Sequence, residues 1–376
     1  MSQYSYNVSV LSSPSEKMFL LNVMEYHGGK LNQGGTSLLV GLNGKFSNVT
    51  CHWKDKFDGN YIVCCPLVEQ VSNLTIEGRF ANFTAYHYRD VAFPKPRLIH
   101  QEVVRLPHVP SPFQYVKPTE CMSQAMQYHG YWTNGEKGEK TWNIGGCKGN
   151  LYNTLMNTTI QQFRDAVHKR GLIIIGDSHL RYVYLYMLES LNLVPRNILG
   201  KFHHNHHVQN VYFFWNRQAT TLSQHLQQSV HPLGQNQSKP ILIMDVGPRD
   251  LQLETIRYVV TTMQPVLRFI QENPDFDYMW YGQGSFPDKD NNWIFRGSRN
   301  NYSFPALNAW ALKHMKKMGI PVFDIWPISL ALQNKTVCGA HHLCYNKRGF
   351  SGAAGKYISN MMISYIADKY SHLTSH

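Results

Sequence analysis

The chain lacks any long apolar run: none of its 376 residues belongs to a stretch of about 18 apolar residues. No membrane-spanning helix is therefore predicted within the sequence. Internal repeats and low-complexity tracts are also absent, which excludes repeat architectures. Charged residues make up only 16% and hydrophobic residues 43%, a globular rather than a disordered composition. The length favours two domains.

The seven cysteines contain no Cys-x-x-Cys pair with partners at zinc spacing, so disulfides are favoured over a metal site. The histidine-rich run 203–207 lacks a carboxylate or cysteine at ligand spacing, and we interpret it as structural. No metal and no cofactor is predicted. One thiol is left over from the candidate bridges, which are Cys51 with Cys64 or Cys65, Cys121 with Cys147, and Cys338 with Cys344.

Acidic residues are scarce: 24 Asp and Glu stand against 36 Lys and Arg, a net charge of +12. The basic residues are scattered along the chain. Their densest cluster, Lys313, Lys316 and Lys317, lies on one predicted helix. We interpret it as a solvated face rather than a nucleic-acid footprint, and no nucleic-acid partner is predicted. Charge alone leaves attraction to acidic glycans or anionic membranes open.

Eight Asn-x-Ser/Thr sequons occur, against roughly three expected by chance. They favour N-glycosylation and a secretory location, either the Golgi lumen or outside the cell. The first residues lack the apolar region of a signal peptide. We therefore expect that a leader or membrane anchor is missing from this sequence, and membrane contact only through that anchor. The alternative is a cytosolic protein with accidental sequons.

Residues 1–105 carry short alternating apolar runs separated by turn dipeptides such as Asn43-Gly44 and Asp58-Gly59. This pattern predicts an all-β sandwich. The pattern from Phe19 to Tyr61 resembles filamin-type immunoglobulin-like repeats. A proline-bearing segment, 93–113, follows as a stiff connector.

Residues 106–376 alternate apolar strand-like runs with helical stretches, which predicts an α/β domain: an αβα sandwich around a parallel sheet. Such sheets bind ligands at the carboxyl ends of their strands. The predicted strands are 172–175, 211–214, 241–244, 278–281 and 321–324. The predicted helices are 180–193, 251–271, 307–318 and 354–370.

The sharpest motif is Gly176-Asp177-Ser178, which joins the first of these strands to a helix. A serine there suits a nucleophile, because the start of a helix stabilises a developing oxyanion. The alternative is that Asp177 and Ser178 only cap the helix.

With Arg181 three residues after the serine, this block resembles the PC-esterase branch of SGNH hydrolases. The layout is most similar to the neurexophilin and PC-esterase domain family, in which an immunoglobulin-like domain precedes the esterase domain. The resemblance implies Ser178 as nucleophile, with Asp177 and Arg181 as supports.

Two further blocks of that family are less distinct in this sequence. The resemblance implies Gly200 for its second block and Gly247 for its third. Arg249 stands where many members have an oxyanion-binding asparagine. Arginine could keep that role with altered geometry, or it could simply pair with Asp250 in a turn.

The last block of the family has an Asp three residues before the catalytic His. Alignment through Cys344 places the base at His342 and puts Gly339 at the Asp position. Asp324 or a backbone carbonyl would then orient the imidazole. His341 is the competing base.

The resemblance implies a carbohydrate O-acyl transferase or esterase, with acetyl as the expected group. Its partners would be a glycan or glycoprotein acceptor and an acyl donor, for which acetyl-CoA is a candidate. Transfer and hydrolysis both remain open, since they differ in how well the pocket excludes water. The alternative is an inactive SGNH scaffold that serves as a glycan-binding, adhesion or ligand protein.

Overall fold

The chain divides into two compact units, formed mainly by Met1–Gly149 and Asn150–His376. The structure is a computed structural model. It describes residues 4–11, 18–27, 37–44, 47–56, 58–66, 71–79, 97–105, 130–134, 140–144, 155–194, 205–216, 219–227, 239–245, 263–282, 284, 304–326, 328, 345–346, 349–350 and 353–371.

The described part of the first unit consists of antiparallel strands. They are β1 (Tyr4–Leu11), β2 (Met18–His27), β3 (Ser37–Asn43), β4 (Ser47–Thr50), β5 (His52–Asp55), β6 (Asn60–Pro66), β7 (Val71–Arg79), β8 (Arg97–Arg105), β9 (Gly130–Asn134) and β10 (Lys140–Ile144). One sheet has the order β1-β2-β6-β5 and the other has the order β10-β9-β4-β3-β7-β8. Their inward side chains form one hydrophobic core. The immunoglobulin-like resemblance of this unit stays a prediction.

A disulfide between Cys51 and Cys65 lies inside this core, with both residues buried. Side chains alternate along a strand, so Cys65 shares the inner face of β6 with Tyr61 and Val63. Cys64 points to the other face and keeps a free thiol. Of the two predicted pairings of Cys51, the structure therefore has the one with Cys65. Cys121, Cys147, Cys338 and Cys344 lie outside the described residues.

The first unit ends later than the predicted division between residues 105 and 106. Strands β9 and β10 form a hairpin, and β9 pairs with β4 through Ser47↔Thr133 and Asn48↔Trp132. This pairing extends the six-stranded sheet beyond the proline-bearing segment, and the division falls at Gly149.

The second unit is built around a six-stranded, mostly parallel sheet in the order β12-β13-β11-β14-β15-β16, of which only β12 runs antiparallel to its neighbour. Its strands are β11 (Leu172–Gly176), β12 (His206–Val208), β13 (Val211–Trp215), β14 (Ile241–Met244), β15 (Asp277–Tyr281) and β16 (Val322–Phe323). A separate two-stranded pair is formed by β17 (Tyr345–Asn346) and β18 (Gly349–Phe350). All five predicted strands are present.

Six helices are described, and all belong to the second unit. They are α1 (Asn157–Arg170), α2 (Ser178–Ser190), α3 (Ala219–His225), α4 (Gln264–Glu272), α5 (Phe304–Lys317) and α6 (Ala353–Ser371). α2, α4, α5 and α6 overlap the four predicted helices. Residues 251–262 of the second predicted helix lie outside the described residues.

Helices cover both faces of the large sheet. On one face, Tyr184 of α2 stacks on Phe213 of β13 at 5.3 Å, and Tyr365 of α6 meets Phe323 of β16 edge-on at 5.4 Å. α1 packs against α6. Residues Asn216 and Asp324, which follow strands β13 and β16, bond to α3 and α5 instead. Successive residues point to opposite faces, so the three-layer αβα prediction is confirmed.

An ionic cluster ties helices to the amino ends of the strands. The buried Arg170 guanidinium donates to the Asp277 carboxylate and, from Nε at 2.9 Å, to the Lys239 carbonyl. The same guanidinium lies 4.4 Å over the Tyr370 ring. The ends of α1 and α6 are thereby joined to β15 and to the residue pair preceding β14.

We predict that Gly355→Ala destabilises the protein. A Cβ at this position of α6 would lie 2.2 Å from Cε2 of Tyr186, whose ring is buried and cannot retreat. Overpacking of about 1–3 kcal/mol exceeds the ~1 kcal/mol that alanine gains over glycine in a helix. Urea unfolding measures the difference. Ser364→Ala, on the same helix at a half-buried position, is the control and should change little. A stability of Gly355→Ala equal to or above wild type would contradict the close packing of α6 on α2.

Candidate active site

At the carboxyl edge of the parallel sheet, most of the residues that directly follow the strands are polar. Strand β11 lies between β13 and β14, so the chain leaves β11 toward one side and later returns to the other. In open parallel sheets this reversal opens the crevice in which ligands bind. The residues that follow the strands there are Asp177 and Ser178 after β11, Asn216 after β13, Asp245 after β14, Gly282 after β15 and Asp324 after β16.

Ser178 is the first residue of α2 and lies at this reversal point. Asp177 is the N-cap, and its Oδ1 accepts a 2.8 Å hydrogen bond from the backbone N–H of His179. Asp177 and His179 are buried, whereas Ser178 between them is partly exposed. The capping interpretation therefore holds for Asp177. It leaves Ser178 at a helix start, where backbone N–H groups point outward and favour negative charge.

The end of strand β11 has to be glycine because a carboxylate fills the adjacent space. A Cβ on Gly176 would lie 2.6 Å from Oδ1 of Asp245 and 2.7 Å from Cδ2 of Leu180. Asp245 is fully buried, and its backbone N–H donates to the Ile175 carbonyl at 3.2 Å. The Asp245 carboxylate thus lies directly behind the turn that presents Ser178.

Tyr281 completes this buried group at the end of β15. Its ring is fully buried. Burial raises its pKa well above the ordinary value, and the negative charges of Asp245 and Asp177 raise it further. The phenol consequently stays protonated at neutral pH.

Arg181 lies one helical turn after Ser178 and is held flat by aromatic rings. Its guanidinium is 4.7 Å from the centroid of Trp215 and 5.0 Å from that of Tyr182. It also donates to the Tyr182 hydroxyl at 3.2 Å. Cation–π contacts of this kind hold a guanidinium in a fixed orientation. The side chain is therefore a preorganised positive charge on the Ser178 side of α2.

Asp324 is buried at the end of β16, three strands away from β11 in the sheet order. Its Oδ1 accepts from the Trp326 backbone N–H at 3.0 Å and from Asn308 Nδ2 at 3.3 Å. These bonds give it a local structural role in the turn after β16. His342 and His341 lie outside the described residues, so an orienting role toward either imidazole stays a prediction.

The other residues assigned from the resemblance, Gly200, Gly247 and Arg249, also lie outside the described part of the chain. Of the predicted set, the structure brings together Asp177, Ser178 and Arg181 on one turn and leaves Asp324 apart. Sequence reasoning missed Asp245, Tyr281 and Asn216. Their signal is positional: each is the last residue of an apolar run or the polar residue directly after it.

Within the described ranges, no group of three or more His, Cys, Asp or Glu side chains could hold a metal ion. His206 and His207 of the histidine-rich run lie on the edge strand β12, where His207 stacks on Tyr212 at 5.8 Å. Among the helices that the structure describes, none has the length and apolar character needed to cross a bilayer.

No protein-family profile matches the chain. No curated protein matches it at a significant level either. The chain is similar in structure to a protein assigned as an acylhydrolase from Bacteroides fragilis NCTC 9343, at 10% identity and a TM-score of 0.35, over 58% of this chain and 99% of that one. A protein assigned as a platelet activating factor from Streptococcus pneumonia has 13% identity and a TM-score of 0.36, over 55% and 91%. TesA has 10% identity and a TM-score of 0.31, over 53% and 98%. Likenesses this distant carry no functional argument.

We predict that Gly176→Ala lowers stability, because the new methyl group would displace the Asp245 carboxylate or the Leu180 side chain. The expected loss is about 1–3 kcal/mol, measured by urea unfolding. Gly41→Ala is the matched control: it also lies in a strand, but a Cβ there meets nothing closer than 3.5 Å. If both variants were equally stable, Asp245 would not occupy the space beside Gly176.

Proposed function

We propose that the protein is a serine acyl-transfer enzyme of the SGNH type, with Ser178 as its nucleophile. The observation that carries this proposal is the position of Ser178: it is the partly exposed residue between buried neighbours, at the helix start that adjoins the reversal point of the sheet. A nucleophile needs this combination of access and nearby backbone donors. The buried Asp245 carboxylate lies beside Gly176 and packs against the turn that carries Ser178.

In the proposed reaction a base removes the proton from Ser178 Oγ, which attacks the acyl carbonyl carbon. The resulting oxyanion is stabilised by N–H groups at the start of α2. Collapse of this intermediate expels the leaving group and leaves an acyl-serine. The base gives the proton from Ser178 to that leaving group. It then takes a proton from a sugar hydroxyl or water, whose oxygen attacks the acyl carbon, and passes this proton to Ser178 Oγ as the acyl–serine bond breaks. We assign the base to His342, with His341 as competitor and Asp324 or a backbone carbonyl as its orienting acceptor.

We further propose an acetyl group as the acyl unit and a glycan or glycoprotein as the acceptor, with acetyl-CoA as candidate donor. The supports are the sequence resemblance around Gly176-Asp177-Ser178 and the partly exposed Arg181 cation beside the nucleophile. A secretory location, in the Golgi lumen or outside the cell, is supported by the eight sequons and by the buried Cys51–Cys65 disulfide.

A second candidate function is glycan binding or adhesion on an inactive SGNH scaffold. Gly339 stands where the resemblance expects the carboxylate partner of the base. Asp324, the side chain proposed to orient the base instead, accepts two hydrogen bonds, from the Trp326 backbone N–H and from Asn308. A chain without an oriented base would keep the fold and lose the chemistry.

The two candidates differ in how the intact protein reacts with a fluorophosphonate, which modifies activated serines. We expect labelling at Ser178, identified by peptide mass spectrometry, and its complete loss in Ser178→Ala. His342→Ala should reduce the labelling rate by a factor of roughly a hundred or more, because nucleophile and base act as a unit.

Ser190→Ala is the matched control for this experiment, since Ser190 is the last residue of the same helix and is partly exposed. It should label like wild type. Loss of labelling in His341→Ala instead of His342→Ala would reassign the base. Absence of labelling in folded wild-type protein would reject the enzyme and favour the inactive scaffold.

The secretory proposal predicts which sequons carry glycans. Asn7 and Asn157 are exposed and should be occupied in protein purified from its natural source. Asn73 lies on β7 between two hydrogen-bonded strands with its Oδ1 buried, so it should be unmodified. Enzymatic deglycosylation in heavy-oxygen water followed by mass spectrometry measures each site.

Thr159→Ala is the control for Asn157, because it destroys the sequon and leaves the asparagine in place. The glycan should disappear from Asn157 and persist at Asn7. Unmodified asparagine at both exposed sites of the natural protein would argue against passage through the secretory pathway.

A further inference from the structure

Helix α5 carries a stripe of aromatic and basic side chains on one side. Trp310, Lys313, His314 and Lys317 are spaced by three, four and seven residues, which places them on one side of a helix. Lys313 and Lys317 are exposed, and Trp310 and His314 are partly exposed. We call these four residues, together with the adjacent exposed Lys316, the basic stripe.

The basic stripe has no compensating negative charge on its own helix, since Phe304–Lys317 contains no Asp or Glu. Within the described part of the chain, the three lysines form no ion pair with a carboxylate. The pKa of His314 is lowered by partial burial and then by the ammonium groups of Lys317 and Lys313. Both lysine charges therefore act on the same small surface.

The Trp310 ring belongs to this surface and packs against the His314 imidazole. Its centroid lies 4.6 Å from that of the His314 imidazole, with the two planes tilted by 34°. The helix buries Ala311 and Met315 on its inner side. None of the exposed large hydrophobic residues that the structure describes lies on α5. The exposed ammonium groups beside the Trp310 ring suit a polar, anionic partner with sugar or ring faces.

The stripe is separate from the proposed catalytic edge. Asn308, near the start of α5, bonds Asp324 at the carboxyl end of β16. The helix then runs back toward Ile320 and Pro321, which precede the amino end of the same strand. Lys317 lies nine residues beyond Asn308, about 14 Å further along the helix axis. Substitution of the lysines should therefore leave the Ser178 turn unchanged.

We propose that the basic stripe is a docking surface for a linear sulfated glycan. Ammonium groups attract sulfate and carboxylate oxygens, and the row of three lysines along a helix side matches a repeating linear polyanion. The tryptophan provides an apolar ring beside them, on which the C–H face of a sugar packs. The surface would hold an extended acidic chain while the carboxyl edge remains open, and it does not depend on the identity of the nucleophile.

The test measures binding of the full chain to a heparin octasaccharide by titration calorimetry at several salt concentrations. The triple variant Lys313→Gln/Lys316→Gln/Lys317→Gln should bind roughly tenfold or more weakly. Each neutralised charge of a flexible polyanion contributes ~0.7 to the slope of log affinity against log salt, so the slope should fall by about 2. Trp310→Leu should weaken binding at every salt concentration without changing that slope.

The control removes the same number of charges elsewhere, by Lys56→Gln/Lys169→Gln/Lys356→Gln at three exposed and scattered positions. It should keep the wild-type affinity. An equal loss in this control would show a net-charge effect and overturn the proposal, as would an unaltered triple α5 variant with wild-type unfolding behaviour. Binding to phosphatidylserine vesicles but not to heparin would overturn it in favour of a membrane surface.

Discussion

The Asp245 carboxylate occupies the space that a side chain on residue 176 would otherwise fill. The geometry of the proposed site depends on the absence of a side chain at Gly176. Strand β11 can end beside a buried acid only because it ends in glycine. Leu180, in the first turn of α2, borders the same space, so this turn also packs against the end of β11. The turn that carries Ser178 is consequently packed against buried side chains, while Ser178 itself is partly exposed. A nucleophile held in this way needs little reorganisation before reaction.

The second unit could be predicted well because its strands are buried on both sides. Continuous apolar runs such as Leu172–Ile175 and Ile241–Met244 have few interpretations other than central parallel strands. The motif at Ser178 follows from the same pattern, since a Gly-Asp-Ser sequence after such a run has to lie at a strand end. Asp245 stands equally clearly after its own strand. The packing role of Asp245 could not be predicted, because it depends on the absence of a side chain at Gly176 in the neighbouring strand β11.

Features that depend on distant pairing were less accessible. The first unit extends to Gly149 because β9 pairs with β4, roughly eighty residues earlier in the chain. Nothing local in the sequence specifies that partner, whereas the proline-bearing segment gives a strong local signal for a boundary. The choice between Cys64 and Cys65 as the disulfide partner of Cys51 depends instead on local sequence. Period-two alternation with Tyr61 and Val63 places Cys65 inside, and this could have been read from the strand alone.

The ionic cluster around Arg170 has a consequence for how this unit can change over evolutionary time. It joins two helix ends to the sheet at the edge opposite Ser178, through charge, hydrogen bonding and ring contact together. This attachment of α1 and α6 thus lies at an edge where no chemistry is proposed. The attachment of α1 and α6 to the sheet therefore does not depend on residues at the carboxyl edge, and substitutions at that edge leave it intact. Substrate preference in such a unit can drift while the scaffold stays intact.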